Sequence, residues 1–290
     1  MSKNIGNELE KLFTEWKDRL KKDNGPETHF TKDGVMYRSG KTNEQVEQEW
    51  LASPKRVVFL LKDQNQGKNG TWDEDINLWL KDVDWEDTNA RDKWNASAKA
   101  NRNIKGRLMK NIAYILWGLV KADNNVDRSL KKTNKHHNEV KDFFNSQPFA
   151  LIECKKEPGV SYLNNRILRH HLNTYGDLLK REIDILHPNI IVCCGGSSEI
   201  FKFITKTYYK DKDPISYGAE YVCEDGTDLG FKTQLCYYPD DNVVVIDSYH
   251  PTARGKIANG RVEDWLIFDR VLSPFRRFMN SEYASNFLKV

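Results

Sequence analysis

Two residues in this chain have the type and the setting for acid–base chemistry. Asp63 follows the apolar run of "RVVFLLKDQNQG" (56–67), and His250 follows the apolar run of "VVVIDSYHPTARGK" (243–256). A carboxylate can serve as a base or orient a water, and an imidazole can supply a proton or a hydrogen bond. His250 precedes a proline, so it sits on a rigid exit from its strand. Alone it reads equally well as a turn histidine. Paired with Asp63 at the carboxyl ends of strands in one sheet, it would face that carboxylate where open parallel sheets bind ligands.

The elements that must position the pair are legible as buried-strand runs: Arg56–Lys62, Phe149–Lys155, Asn189–Cys194 and Asn242–Asp247. Continuous apolar runs of this length suit strands covered on both faces. Between them, "IKGRLMKNIAYILWGLVKA" (104–122) and "ILRHHLNTYGDLLKREIDIL" (167–186) carry apolar residues at helical spacing. Strands alternating with helices predict a three-layer α/β/α sandwich around a central, mainly parallel four-stranded sheet. A hairpin is expected within "EYVCEDGTDLGFKTQLCYYPDD" (220–241), and an amphipathic helix at the start. No interdomain linker stands out, so one domain spanning 1–290 is the simplest organisation.

Composition bounds the function classes. Of 290 residues, 39% are hydrophobic and 30% charged, which describes a polar globular protein. No run approaches the roughly 20 apolar residues of a membrane span, and no apolar signal region opens the chain, so a cytoplasmic protein is expected. The five cysteines (Cys154, Cys193, Cys194, Cys223, Cys236) fall mostly in apolar runs without a C-x-x-C pair. They read as buried thiols rather than as metal ligands, disulfides or nucleophiles. The net charge is +3, but basic residues gather in 102–110, 131–141, 166–171 and 254–261. Such clusters are either solvated surface or contacts to a polyanion such as DNA. "CCGGSSE" could hold a phosphate on backbone N–H groups at Gly195, Gly196 and Ser197. It has neither the P-loop ending nor G-x-G-x-x-G, so nucleotide binding gains little support.

With these segments in order, the sequence resembles the uracil-DNA glycosylase superfamily. "VVFLLKDQNQG" aligns without a gap with the first motif, written V-V-I-L-G-Q-D-P-Y-H-G in that family, and "HPTAR" with the second, H-P-S. "FALIECKKEPG" resembles the base-recognition strand and "PNIIVCCGG" the third strand. The resemblance covers about residues 56–255 and leaves unexplained the N-terminal helix, the Trp-rich insertion at about 68–105 and the C-terminal tail. It implies a DNA glycosylase, and with no convincing Schiff-base lysine monofunctional action is expected. A monomer without metal or cofactor is expected. Asp63 would position the attacking water, and His250 would donate to the departing base. Arg254, Lys256, Thr252, Gly195, Gly196 and Ser197 would touch DNA. The base must leave the stack to be reached.

Departures from the family pattern point to the substrate. Leu61 and Gln64 replace the motif's glycine and proline, so the turn around Asp63 differs. Asn65 replaces the tyrosine that closes a uracil pocket against a C5 substituent. Glu153 stands where an asparagine reads the base. A carboxylate only accepts, which suits the cytosine N4 amino group. Glu153 reads alternatively as a satisfied strand-end carboxylate. Asn65, Glu153, Gln64 and Trp72 are therefore the candidate base-binding residues, Trp72 as a stacking surface. Asp73, Glu74 and Asp75 would bond sugar hydroxyls or cap a helix, and Trp79 and Trp85 would anchor the insertion. The expected substrate is a cytosine bulky at C5, such as glucosylated hydroxymethylcytosine, which occurs in viral DNA; removing it would serve antiviral defence. The rival readings are a housekeeping uracil or mismatch glycosylase and a non-catalytic nucleic-acid-binding protein.

Overall fold

The structure is a computed structural model. It describes residues 4–66, 72–81, 106–121, 137–159, 163–195, 198–222, 228–254, 256–257, 260–261 and 264–287. In chain order the helices are α1 (Ile5–Asn24), α2 (Asn43–Ala52), α3 (Gly106–Val120), α4 (His137–Ser146), α5 (Asn165–Thr174), α6 (Gly176–Leu186), α7 (Glu199–Phe203), α8 (Asp264–Met279) and α9 (Ala284–Phe287). The strands are β1 (Thr31–Lys32), β2 (Gly34–Val35), β3 (Val57–Asn65), β4 (Glu74–Asp75), β5 (Ala150–Gly159), β6 (Ile190–Cys194), β7 (Ile215–Val222), β8 (Asp228–Tyr238), β9 (Val243–Ser248), β10 (Lys256–Ile257) and β11 (Gly260–Arg261).

Two compact units share the chain. The first takes residues 1–105 and 148–188, the second 106–147 and 189–290. In the first, α1 starts where the Asn4 side chain accepts the Asn7 N–H (2.9 Å) and buries Ile5, Leu9, Leu12, Phe13, Trp16 and Leu20 along one stripe. Its sheet has the order β2-β5-β3. β3 and β5 are parallel, pairing Leu61 with Glu153 and Asp63 with Lys155. The next pair is Asn65 with Gly159, so β5 spends four residues where β3 spends two, and the excess holds Pro158, which cannot donate to a ladder. β1 and β4 form a small parallel pair.

In the second unit the strand order is β6-β9-β8-β7. β6 and β9 are parallel, whereas β8 runs antiparallel to both β9 and β7. The apolar helix α3 packs on α8, so closely that a Cβ at Gly118 would lie 2.7 Å from Leu272 Cδ1. That approach is why glycine is needed there.

The protein is therefore mixed α/β, and all four expected strands exist as two parallel pairs. The expectation of four mainly parallel strands is corrected: the first unit's sheet has three strands and the second's has four, and β2, β7 and β8 are joined by antiparallel pairing. β7 and β8 are the expected hairpin, lengthened and paired into the sheet through β9. β2, at two residues, is too short to show a period. The helix expected over 167–186 is two helices. Tyr175 leaves helical geometry (φ −118°, ψ 14°) and Gly176 begins α6, so the side-chain period continued across a break in the backbone. β3 and β5 also outrun their apolar stretches by three and four residues, to Asn65 and Gly159, so Asp63 lies within a strand rather than on its exit turn. Among the described residues, no helix is long and apolar enough to cross a membrane.

Candidate active site

In a strand, alternate residues share a face, and paired residues of parallel strands point the same way. The register of β3 and β5 thus gathers Leu61, Asp63, Glu153 and Lys155 on one face of the first unit's sheet. Asp63 Oδ2 and Glu153 Oε2 are both buried and accept no hydrogen bond. Burial raises the Asp63 carboxyl to about 6, against the opposing pull of Lys155 and Lys62. Burial lifts Glu153 well above the usual carboxylate range, and the neighbouring Asp63 and Asp33 lift it further. Both carboxyls are therefore displaced upward, by burial first and, at Glu153, by the neighbouring carboxylates as well.

Gly159 is part of this arrangement. A Cβ there would stand 1.7 Å from Asp63 Oδ2, so the carboxylate occupies the space that any other side chain would need. Lys155 is itself buried and donates to the Glu157 carbonyl (2.6 Å), which holds its ammonium beside Asp63. Burial, followed by the charges of Lys155 and His170, lowers the His171 imidazole to about 4. The lowered ring stands 3.2 Å from Glu157 Oε2, and its low pKa argues against an ion pair there. Neither Lys155 nor Gly159 was identifiable from sequence. The signal was the "KKEPG" run at the end of an apolar strand, which reads as a loop until its register is known.

The other predicted base-site residues divide. Strand alternation turns Gln64 away from Asp63, and it is buried; Asn65 is exposed. Trp72 is 43% exposed, but its position is fixed. Its indole N–H donates to Glu74 Oε2 (2.8 Å), and its carbonyl accepts from the Gln66 amide (2.9 Å). The Gln66 N–H in turn donates to the Gly159 carbonyl (3.0 Å), which links the tryptophan to the strand end beside Asp63. Trp79 is buried and donates to Glu74 Oε1 (2.9 Å), as its anchoring role requires. Asp73 accepts the Phe30 N–H and pairs with Lys17, and Asp75 lies opposite Lys32 on β1. These carboxylates serve the packing of the segment. Trp85 and Trp94 lie outside the described residues.

Beneath this site Lys156 points to the opposite face, where it pairs with Asp33 and with Glu182 (2.8 Å), all three fully buried. The ammonium also lies 5.2 Å from the Phe13 ring and 5.1 Å from the Trp16 ring. Asp33 accepts the Glu153 N–H as well (2.6 Å), so this cluster supports the backbone that carries the site.

In the second unit, β9 delivers His250 into a turn closed by the Ala253 N–H on the His250 carbonyl (2.8 Å). The Thr252 N–H donates to His250 Nδ1 (3.2 Å), and Thr252 Oγ1 lies 2.8 Å from the same nitrogen. A backbone N–H can only donate, so Nδ1 accepts and the proton of the neutral ring sits on Nε2. The turn is braced by buried Asn111 on α3, whose amide donates to the Pro251 carbonyl (2.6 Å). On its other side, Asp247 accepts from Ser198 (2.7 Å) and Arg270 (2.5 Å), and the Arg270 guanidinium stacks 4.2 Å from the Tyr249 ring. Asn111 was hidden within an otherwise apolar helix, where a lone amide gives no functional signal.

Of the predicted DNA contacts, Arg254 is exposed, and Lys256 opens a hairpin in which it pairs with Arg261. Gly195 takes φ 96°, and its N–H donates to the Ser248 carbonyl (2.8 Å), so that donor braces the strand ends instead of pointing at a phosphate. Gly196 and Ser197 lie outside the described residues. Cys154, Cys193, Cys194 and Cys236 are buried. Among the described residues no group of three or more His, Cys, Asp or Glu side chains is placed to hold a metal ion. Comparison with protein-family models and with curated proteins found no match for the chain.

Proposed function

We propose that the protein is a monofunctional DNA glycosylase that hydrolyses the N-glycosidic bond of a flipped pyrimidine. The observation that carries this reading is the pair of carboxyls on adjacent parallel strands, Asp63 and Glu153, each with a buried oxygen that accepts no hydrogen bond and each raised by burial. Asp63 orients a water toward the sugar carbon and stabilises the positive charge that develops there. His250, with its proton on Nε2, donates to the base as it departs with the bonding electrons. The accompanying fold reading is a three-layer sandwich of the uracil-DNA glycosylase kind.

The upward shift of Glu153 bears on the substrate argument, because burial favours its neutral form. In that form it both donates and accepts, so it matches the N3 and N4–H edge of cytosine and equally the O4 and N3–H edge of uracil. The preference for a C5-modified cytosine then rests on Asn65, exposed where a bulky wall would exclude a C5 substituent. Removal of such bases fits antiviral defence, and uracil excision is the second reading that Glu153 favours.

The test is an abasic-site assay. Duplex and single-stranded oligonucleotides carrying uracil, a thymine mismatch, cytosine, hydroxymethylcytosine or its glucosylated form are incubated with the protein, then with alkali. Cleavage at a modified cytosine, lost in both Asp63→Asn and His250→Ala, is expected. Cleavage confined to uracil removes the modified-cytosine assignment, and full activity in both variants refutes the chemistry.

A further inference from the structure

We propose that the exposed stripe of α5 is a nucleic-acid-binding surface, gripping the phosphodiester backbone through Arg166 and Arg169 while Ile167 contacts sugar or base. The helix sequence, NRILRHHLNT, contains no acidic residue. Leu168, His171 and Leu172 are buried, whereas Arg166, Arg169, His170 and Asn173 are exposed. Their spacing of i, i+3, i+4 and i+7 lines them along one side of the helix. All four are side chains that donate hydrogen bonds to phosphate or to base edges, and an arginine fork matches phosphate oxygens in pairs.

Two further observations favour an anionic polymer over bare solvent. Arg166 occupies the first turn, where the positive end of a helix disfavours a cation and favours an anion. Ile167 is 48% exposed and, with Trp72, is one of two large hydrophobics left exposed among the described residues. An aliphatic side chain flanked by arginines suits insertion against bases or sugars, which proteins that deform nucleic acid use repeatedly. The helix also packs on β5, which carries Glu153 and Lys155. Its placement beside a reacting base rests on the function proposed above, but its affinity for nucleic acid does not.

The experiment is a fluorescence-anisotropy titration of a labelled mixed-sequence DNA, duplex and single-stranded, over a range of KCl concentrations. For Arg166→Gln/Arg169→Gln, affinity should fall about tenfold or more, and the slope of log affinity against log salt should drop by nearly two. Arg166→Lys/Arg169→Lys should restore the slope. Ile167→Ala should weaken binding and leave the slope unchanged. All these residues are exposed, so thermal melting should be unaltered in each variant. The proposal is overturned if wild-type protein does not bind DNA, or if the glutamine variant keeps both affinity and slope. It is also overturned if poly-L-glutamate is bound at least as tightly through the same arginines, which would mark an acidic-protein surface. Arginine-dependent binding without abasic product leaves this surface standing and removes the glycosylase. Abasic product formed equally well by the glutamine variant does the reverse.

Discussion

Asp63 is the residue on which most of the chemistry depends, and its environment makes opposite demands on activity and stability. Its carboxyl titrates near 6 in the folded protein, above the ordinary aspartate value. A raised carboxyl favours folding at pH below its ordinary pKa, and that advantage disappears as pH rises through about 6. Asp63→Asn should therefore raise stability by about 1–3 kcal/mol at pH 8 and by little at pH 4, as read by urea unfolding at both values. The same variant should lose excision activity. In the wild type, the cleavage rate should climb through pH 6 as Asp63 ionises, and a flat profile there would dismiss it as the water-orienting group. Gly159→Ala tests the geometry. The carboxylate must leave the Cβ position, so kcat should fall at least tenfold while the unfolding free energy changes by about 1 kcal/mol or less, since only a side-chain end is displaced.

At the scale of elements, α3 holds the turn that bears His250 through Asn111. Asn111→Ala should leave the Pro251 carbonyl buried without its donor, a loss of about 1–3 kcal/mol in urea unfolding. The rate should fall more than substrate affinity, because the turn loses orientation rather than contact. Equal losses in the rate and in DNA binding would point to general loosening instead. The sheet elements show how far sequence reading reached. All four expected strands were legible because each is marked by a run of four or five consecutive apolar residues. Their carboxyl ends were not legible, because Asp63, Lys155 and Pro158 resemble a turn and only the ladder between β3 and β5 keeps them extended. The Tyr175 break between α5 and α6 was concealed for a related reason: the apolar spacing of Leu172, Leu178 and Leu179 continues across it.

The first unit as a whole carries a fully buried Asp33–Lys156–Glu182 cluster beneath its candidate site. Removing the cation should be severe. Lys156→Met leaves Asp33 buried without its partner, at about 3–5 kcal/mol, and the deficit should shrink as pH falls because the stranded carboxyls take up protons. Urea unfolding of this variant at pH 5 and pH 8 gives the comparison, and an equal loss at both would mean that the carboxylates are solvated. The cluster also bonds the Glu153 backbone, so milder substitutions within it should reach the chemistry through strand position.

The sequence alone determined the α/β class, the four buried strands and the amphipathic first helix, and it singled out Asp63 and His250 just past two of the apolar runs. These follow from local properties: apolar runs, helical periods and the residue types that punctuate them. Register, burial and hydrogen-bond partners belonged to the tertiary structure. Only the pairing of β3 with β5 brings Asp63 beside Glu153, and only burial raises both carboxyls. The upward shift of Glu153 is the clearest case. Its residue type was fixed by the chain, but the shift depends on neighbours from β1–β2, β3 and β5, which come together only in the fold.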